Sequence, residues 1–320
     1  MPPAPAPKLT IIVISYNTRQ MTLDCLASVY DQTKETPFEL IVVDNASSDG
    51  SAEAIAKAFP DAKLLAETEN HGFARAHDVG VPHGTAPWLL LLNPDTLVLD
   101  GAIDRLMAFA ERTPEAGIWG GRTLFGDRSL NPGSCWGRVT LWSTLCRVSG
   151  LSGLLPRSEL FNSEVYGRWP RDTERGVDIV SGCFFLMRRA DWDRFGGFDP
   201  DFVMYGEEAD LCHRAWDQGF RPRITPEATI VHYGGASEAV RADKMVRLMK
   251  AKVELIKRHF SPSTRHLGRW LFGLWPLSRA MAFGVAGTLS GKPNWREKAA
   301  TWGEIWRRRK EWKGGYSDPK

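Results

Sequence analysis

Short apolar runs alternate with helical patterns along the first half of the chain, and this alternation indicates the α/β class. Three runs have the composition of buried strands and end in polar residues: "LTIIVISY" (9–16), "FELIVVDN" (38–45) and "WLLLLNPD" (88–95). A weaker strand is predicted at 62–67, and amphipathic helices are predicted over 19–30, 47–59 and 72–84. Strands that alternate with helices predict βαβ units and a parallel sheet, in which the very apolar run at 88–95 is central.

The later part of this region is less regular. Residues 120–178 are rich in Gly, Arg, Trp and Pro, and we interpret them as long loops with a short helix near 139–148, part of an acceptor cleft or lid. A further buried strand is predicted at 177–189, followed by a short helix at 190–202 that breaks at its paired glycines.

Polar clusters follow three predicted strands: "SYN" (15–17), "DNASSDGS" (44–51) and "NPD" (93–95). Ordinary turn chemistry would explain any one of them, because Asn, Asp, Ser and Gly dominate turns. Three clusters at the carboxyl ends of strands of one sheet favour a nucleotide-type site. The absence of a GxGxxG or Walker sequence excludes the usual dinucleotide and P-loop sites.

The stretch "MYGEEADLC" (204–212) places three carboxylates within four residues. If a helix begins near Glu207, Asp210 lies beside Arg214 and a salt bridge explains it. Glu207 occupies the first turn, where the helix dipole favours a carboxylate. Glu208 stacks on the apolar stripe within 211–215, so we expect it to point inward, with a raised pKa suited to a general base.

A histidine in "TIVHYGGAS" (229–237) completes the set of candidate residues. A lone histidine is more often structural than a ligand. The alternative for His232 is a divalent metal held together with Asp95 and completed by diphosphate oxygens.

Taken together, these segments resemble glycosyltransferase family 2 over about residues 8–238, and most strongly its bacterial rhamnosyltransferase-like members. The matching stretches are "VISYN", "VDNASSDGS", "ENHGFARAHDVG", "LLLLNPDT", "VSGCFFLMRRADWDRFGGFDPDFVMYGEEADLCHRA" and "VHYGGAS". The resemblance implies an inverting enzyme of the GT-A fold: a Rossmann-like mixed, mostly parallel sheet flanked by helices, here with a helical basic extension.

The resemblance also implies roles for single residues. Asp44 would bind the nucleotide base, and the rest of the nucleotide site would be Ser15, Tyr16, Asn17, Asn45, Arg75 and Asn93. Asp95 matches the metal-binding acid of the DxD motif, and His232 a histidine near the diphosphate and Mg²⁺ or Mn²⁺. Glu208 matches the general base, with Glu207 beside it. Three positions depart from the pattern. Asn93 replaces the first acid of the DxD motif, Glu208 replaces the commoner Asp, and Asp78, in the helix that would flank the donor, stands where many relatives carry Asn.

The charge of the chain is unevenly distributed. Residues 241–320 carry 19 Lys and Arg against 6 Asp and Glu, whereas the first 240 residues carry 22 against 32. The apolar segment 266–291 is interrupted by two arginines and a proline, so we expect amphipathic interfacial helices rather than a membrane span. Trp270, Trp275, Trp295 and the basic run 307–310 would lie at headgroup level. The alternative is a helical cap on the catalytic domain.

These observations predict a disordered leader (1–7), a catalytic domain (8–240) and a membrane-associating extension (241–320). Five scattered cysteines fit a reducing cytosol and argue against a disulfide framework. We expect transfer of a sugar, with rhamnose as a candidate, from a nucleoside diphosphate to a glycan or polyprenyl-linked acceptor at the inner face of the bacterial plasma membrane, with no nucleic-acid partner. The alternatives are a non-catalytic nucleotide-sugar-binding protein and a sugar nucleotidyltransferase. The latter's Gly-rich, Lys-bearing loop is not found after the first strand.

Overall fold

A computed structural model of the protein describes residues 6–234 and 241–316. Most of the predicted leader and the last residues of "VHYGGAS" lie outside these ranges. The strands are β1 (Leu9–Ser15), β2 (Phe38–Asp44), β3 (Lys63–Ala66), β4 (Trp88–Leu92), β5 (Thr96–Val98), β6 (Ile118–Leu124), β7 (Leu130–Asn131), β8 (Cys135–Trp136), β9 (Arg175–Gly176), β10 (Ile179–Val180), β11 (Phe184–Arg188) and β12 (Arg223–His232).

The helices include every helix predicted from the sequence. They are α1 (Arg19–Gln32), α2 (Ser51–Ala58), α3 (Gly72–Gly80), α4 (Ala102–Arg112), α5 (Leu141–Ser149), α6 (Leu151–Leu154), α7 (Arg189–Phe195), α8 (Glu207–Asp217), α9 (Arg241–His259), α10 (Pro262–Ser290), α11 (Pro293–Arg307) and α12 (Arg309–Trp312). Helix α2 begins four residues later than predicted, because the Asp49 side chain accepts hydrogen bonds from the backbone and hydroxyl of Ser51 and holds the preceding residues in a turn.

The chain divides into two compact units. The first contains residues 1–136, 170–203 and 207–237, and the second contains 137–169, 204–206 and 238–320. The first unit holds all the strands and the predicted site residues, whereas the second is helical.

A mixed sheet forms the centre of the first unit, with the strand order β3-β2-β1-β4-β11-β6-β12-β5. Strands β3, β2, β1 and β4 are parallel, as predicted, and β4 is central. Strand β11 is antiparallel to both β4 and β6, so the sheet is mixed. The apolar side chains of β1, β2, β4 and β11 pack with those of α1 and α4 in one buried core.

Strand β6 was not predicted, because the segment from residue 120 onward was interpreted as loop. It is a central strand that begins with a buried Ile-Trp pair and continues through Gly120 and Gly121. A Cβ at Gly121 would lie 2.1 Å from the backbone oxygen of Ala228, and one at Gly120 would lie 2.5 Å from Val180. The glycines therefore permit close packing in a strand, although they removed the periodicity that identifies one.

The second unit has its own apolar core, formed by α9, α10, α11 and α12. Its buried members are Val246, Met249, Val253, Ile256, Phe272, Trp275, Ile305 and Trp312. The prediction that Trp275 lies at headgroup level is therefore wrong: this ring is 8% exposed, with the Trp302 ring 5.0 Å away and the Arg147 guanidinium over its face. Arg308, in the predicted basic run, is bound to Asp243 and Glu311.

Helix α10 is long and continues through Pro276. Even so, none of the helices in the described ranges combines the length and apolarity needed to cross a membrane.

Candidate active site

The ends of β1 and β2 lie side by side, with Ser15 opposite Asp44 in parallel register. Asp44 is 2% exposed, and its Oδ2 accepts a hydrogen bond of 3.1 Å from the backbone N–H of Ser47. Its Oδ1 is buried and has no hydrogen-bond partner among the described residues. A buried acceptor without a donor is costly, so this oxygen is suited to a donor group on a ligand.

Asn17 holds the loop that follows β2. Its backbone N–H donates to the Ser47 hydroxyl (2.9 Å), and its Oδ1 accepts from the backbone N–H of Ser48 (2.8 Å). The neighbouring Tyr16 is exposed. The Ser15 hydroxyl does not line this edge, because it is buried and lies 3.1 Å from the Thr22 hydroxyl.

Asn45 supports the start of α3. Its Oδ1 accepts from the backbone N–H of His71 (2.9 Å), and its Nδ2 donates to Asn70 (3.0 Å) and to the carbonyl of Gly72 (3.3 Å). The Asn45 amide thus makes its hydrogen bonds within the protein, and it positions the helix that carries the exposed Arg75. The Asn-His-Gly sequence at the start of α3 was the signal for this contact; the sequence interpretation used it for the family resemblance but predicted no contact from it.

The end of β4 meets the end of β12. Nε2 of His232 lies 3.3 Å from Oδ1 of Asp95 and 3.5 Å from Nδ2 of Asn93. The second oxygen of Asp95 accepts a hydrogen bond of 3.0 Å from the backbone N–H of Gly234. Burial favours neutral Asp95, but the hydrogen bond and charge of His232 hold the pKa of this carboxyl below its usual range. The structure therefore brings together the two predicted metal ligands.

Cys183 is a member of this cluster that the sequence interpretation missed. Burial favours the neutral imidazole, but Cys183 and Asp95 outweigh it and raise the pKa of His232 to about 11. The backbone carbonyl of Cys183 also accepts from the N–H of Asn93 (3.1 Å). This cysteine lies within the quoted stretch that begins "VSGCFF", but the sequence interpretation assigned it no role, and it joins the site because β11 pairs with β4.

The donor set fits a divalent cation that takes part of its coordination shell from elsewhere. Within residues 6–234 and 241–316, no three His, Cys, Asp or Glu side chains form a metal site by themselves. Asp95 and His232 are two suitable ligands, and Oδ1 of Asn93 is a buried acceptor with no partner in the described part of the chain. Phosphate and water oxygens commonly complete such a shell around Mg²⁺ or Mn²⁺.

The three acids of α8 have different environments. Asp210 is 2% exposed, and its Oδ2 accepts a hydrogen bond of 2.8 Å from Nε of Arg214, which confirms the predicted salt bridge. The same guanidinium donates to the carbonyls of Phe195 and Gly197. Asp210 thus has a structural role that the i,i+4 spacing alone identified.

Glu208 points inward as predicted, since its Oε2 is buried, but it is not the more buried acid of the pair. Glu207 is 5% exposed, whereas Glu208 is half-buried. The Cβ of Glu208 lies beside Gly182, near the Phe73 ring, where the missing side chain leaves space. Burial, followed by the charge and hydrogen bond of Glu208, raises the pKa of Glu207 well above its usual value.

Backbone pairing connects these parts of the site. Gly182 lies beside Glu208 and precedes Cys183, whose carbonyl is bound to Asn93 at the end of β4. The acid pair and the Asp95–His232 cluster therefore lie at the same edge of the sheet.

Comparison with known proteins agrees with this geometry. The profile of glycosyl transferase family 2 matches residues 10–195, more than half of the 320 residues. The N-acetylglucosaminyl-diphospho-decaprenol L-rhamnosyltransferase of Mycobacterium tuberculosis is 29% identical over 237 residues, which are 70% of this chain and 76% of that protein. The O-antigen biosynthesis protein RfbC of Myxococcus xanthus is 27% identical over 244 residues, 74% of this chain and 18% of that protein.

Among solved structures, the mannosyltransferase PcManGT of Pyrobaculum calidifontis, in complex with GDP-Man and Mn²⁺, superposes with a TM-score of 0.59. The match covers 97% of this chain and 88% of that one at 20% sequence identity, so it concerns the fold, and it confirms the predicted GT-A class. The family profile, the sequence relatives and the fold agree, and the chain therefore belongs to glycosyl transferase family 2.

Proposed function

We propose that this glycosyltransferase moves a sugar, with rhamnose as the candidate, from a nucleoside-diphosphate donor to a hydroxyl of a glycan or polyprenyl-linked acceptor. Transfer would proceed with inversion and serve cell-envelope polysaccharide synthesis. One observation carries the proposal: a buried acceptor on Asp44, the Asp95–His232 pair and the Glu207–Glu208 pair occupy the carboxyl edge of one sheet. The Mycobacterium relative supports rhamnose and a lipid-linked acceptor, because its name contains both.

Asp44 would recognise the donor base. Its buried Oδ1 suits an imide or amide N–H, which uracil, thymine and guanine present and which adenine and cytosine do not. The exposed Tyr16 ring and the Asn17-bound loop would complete the pocket, with Arg75 available to the diphosphate. In this proposal Ser15 and Asn45 act only by positioning backbone.

Asp95 and His232 would hold a divalent cation, with Asn93 beside them. When bound, Mg²⁺ or Mn²⁺ offsets the negative charge that develops on the leaving diphosphate.

Glu208 would be the general base. Burial and the charge of Glu208 raise the pKa of Glu207 well above its usual value, so Glu207 resists ionisation and, in this proposal, the negative charge of the pair resides on the more accessible Glu208. Glu208 takes the proton of the acceptor hydroxyl as the new bond to the anomeric carbon forms and the bond to the diphosphate oxygen breaks. Glu207 would position Glu208, and its raised pKa would disfavour a second negative charge on the pair.

Helix α10 would bring the enzyme to a membrane surface. Leu267, Trp270, Met281, Val285 and Leu289 are exposed. At 3.6 residues per turn they fall within an arc of about 100°, which contains no charged position of this helix. An exposed apolar stripe in a region of strongly positive charge suits the interface of an anionic membrane. We therefore place the enzyme in the cytoplasm, peripheral to the inner face of the plasma membrane through residues 262–312.

A nucleotide screen tests the catalytic proposal. Thermal unfolding is followed with each nucleoside diphosphate in the presence of Mn²⁺, then with EDTA in its place. We expect one base to stabilise the protein only with metal, because a ligand that binds the folded state raises its stability. Asp44→Asn should abolish the shift, and Asp61→Asn, at an exposed position, should not. Failure of all nucleotides to stabilise the protein would contradict the proposed donor class.

Vesicle sedimentation tests the membrane proposal separately. Leu289→Asp, on the stripe, should weaken binding to phosphatidylglycerol vesicles at least about tenfold. Ala300→Asp, at an exposed position of α11, adds the same charge off the stripe and should have a much smaller effect. Equal binding by both variants would contradict the stripe as the contact, without affecting the nucleotide result.

A further inference from the structure

We propose that Tyr316 is a positioning residue for the Glu207–Glu208 pair, acting through residues 204–206, which immediately precede the pair in the chain. The inference rests on the proposed catalytic role of the pair. It concerns contacts within the second unit, to which both Tyr316 and residues 204–206 belong.

The phenol of Tyr316 is bound to the backbone of this segment. Its O–H donates to the carbonyl of Met204 and lies 3.5 Å from the carbonyl of Tyr205. Helix α9 adds two contacts: Nη1 of Arg247 lies 3.5 Å from the Met204 sulfur, and the Lys244 ammonium lies 6.0 Å from the Tyr205 ring centroid. Tyr316 thus contacts two consecutive backbone carbonyls of the segment, and α9 contacts the side chains of the same two residues.

Tyr316 is itself firmly anchored. Its backbone N–H donates to Oε2 of Glu254 (3.0 Å), a carboxylate that is 1% exposed. Glu254 also accepts from Lys257 (3.0 Å) and Arg258 (2.8 Å), and the Lys250 ammonium lies 5.3 Å from the Tyr316 ring centroid. A buried, charge-balanced carboxylate fixes the position from which the phenol reaches residues 204 and 205.

The anchored segment has a backbone that needs support. Tyr205 has φ of 70° and Gly206 has φ of 94°, so both lie in the left-handed region. That region is unfavourable for a residue with a Cβ and persists where surrounding contacts stabilise it. Glu207, the next residue, begins α8. The conformation at 205 and 206 therefore sets how the chain enters the helix that carries both acids, and the Tyr316 hydrogen bond stabilises that conformation.

Tyr316→Phe tests this inference, because it removes only the hydroxyl and keeps both the ring and the backbone bond to Glu254. We expect kcat to fall about five- to tenfold, the loss expected for one hydrogen bond, with the donor KM unchanged. Hydrogen exchange of the peptide spanning residues 203–207 should become faster. Tyr30→Phe is the matched control, since it removes a phenol from α1, where the ring stacks on Phe59. Neither kcat nor exchange at 203–207 should change in the control.

Each outcome is informative. Slower turnover together with faster exchange supports the proposal. Unchanged turnover overturns it, whatever the exchange shows, and slower turnover with unchanged exchange overturns the route through residues 204–206. A parent enzyme that binds no nucleotide and transfers no sugar would instead contradict the proposed function. Nucleotide-induced stabilisation should be the same in parent, Tyr316→Phe and Tyr30→Phe.

Discussion

Glu164 in the second unit and Glu207 in the first are the same residue type, and each is 5% exposed, yet their environments have opposite effects. Glu164 lies 2.7 Å from Nη2 of Arg147 and 2.6 Å from Nζ of Lys252. Burial favours the neutral acid, but these two cations outweigh it and lower the pKa of Glu164 to about 2. Glu207 has Glu208 as its charged neighbour, and burial and that charge both raise its pKa.

The difference shows that burial alone does not identify a functional carboxylate. A buried acid between two cations stays ionised and joins helices, as Glu164 joins the segment before residue 169 to α5 and α9. A buried acid beside another acid opposes folding, and such an arrangement is typical of a site where a proton must move. We therefore expect substitutions at the two positions to change stability in opposite directions.

Glu208→Gln should have the largest effect, a fall in kcat of about 10³-fold, because it removes the proposed base while keeping its shape. The melting temperature and nucleotide binding should be preserved. Glu69→Gln, at a side chain that is 80% exposed, is the control for a lost carboxylate. Transfer at the parental rate by Glu208→Gln would mean that another group accepts the proton.

Glu164→Gln should destabilise the fold by about 3 kcal/mol at pH 7, since it leaves Arg147 and Lys252 facing each other without a counter-charge. The pKa of Glu164 is about 2 in the folded state, against an ordinary value of 4.5. Its contribution is therefore complete above about pH 5 and is lost as the pH falls towards 2. Urea unfolding at several pH values should show that the difference in unfolding free energy between parent and variant becomes smaller as the pH falls. A difference in unfolding free energy that does not depend on pH would contradict this account.

Glu207→Gln should do the reverse and stabilise the protein by about 1 kcal/mol near pH 8, while reducing transfer. The folded-state pKa of Glu207 is raised, so the parent loses stability as the pH rises above the ordinary value of about 4.5. The advantage of the variant should grow with pH from that point and vanish below it. If Glu207→Gln destabilised the protein, the Glu207 carboxyl would make a contact that stabilises the fold by more than its repulsion from Glu208 destabilises it.

Of these substitutions, Glu111→Gln should change the free energy of unfolding least. Glu111 is bound to Lys8 at 2.5 Å, but both side chains are close to half exposed. Solvent screening should keep the change in unfolding free energy within about 0.5 kcal/mol. A larger change would indicate that exposed carboxylates of this protein cannot serve as neutral controls.

Local patterns predicted much of this molecule. The strands β1, β2 and β4 were recognised because each packs an unbroken apolar run, and the Asp210–Arg214 bridge was recognised because helix geometry determines i,i+4 neighbours. Strand β6 was not recognised from the sequence because its two glycines lack the side chains that mark a strand. Gly120 and Gly121 are explained only by the residues that pack against them, on β10 and β12, which come much later in the chain. Trp275 was misplaced for a similar reason, since its core is built from several helices.

The sequence by itself determined the family, the strand-end positions of Asp44, Asn93 and Asp95, and the acid-rich start of α8, because each depends on residues close together in the chain. Only the tertiary structure decided that Glu207 is more buried than Glu208, and that Cys183 joins the predicted Asp95–His232 pair. These outcomes depend on strand pairing between β11 and β4 and between β12 and β5, and on the space beside Gly182. The burial of a side chain depends on what packs against it, and here the packing partners come from distant parts of the chain.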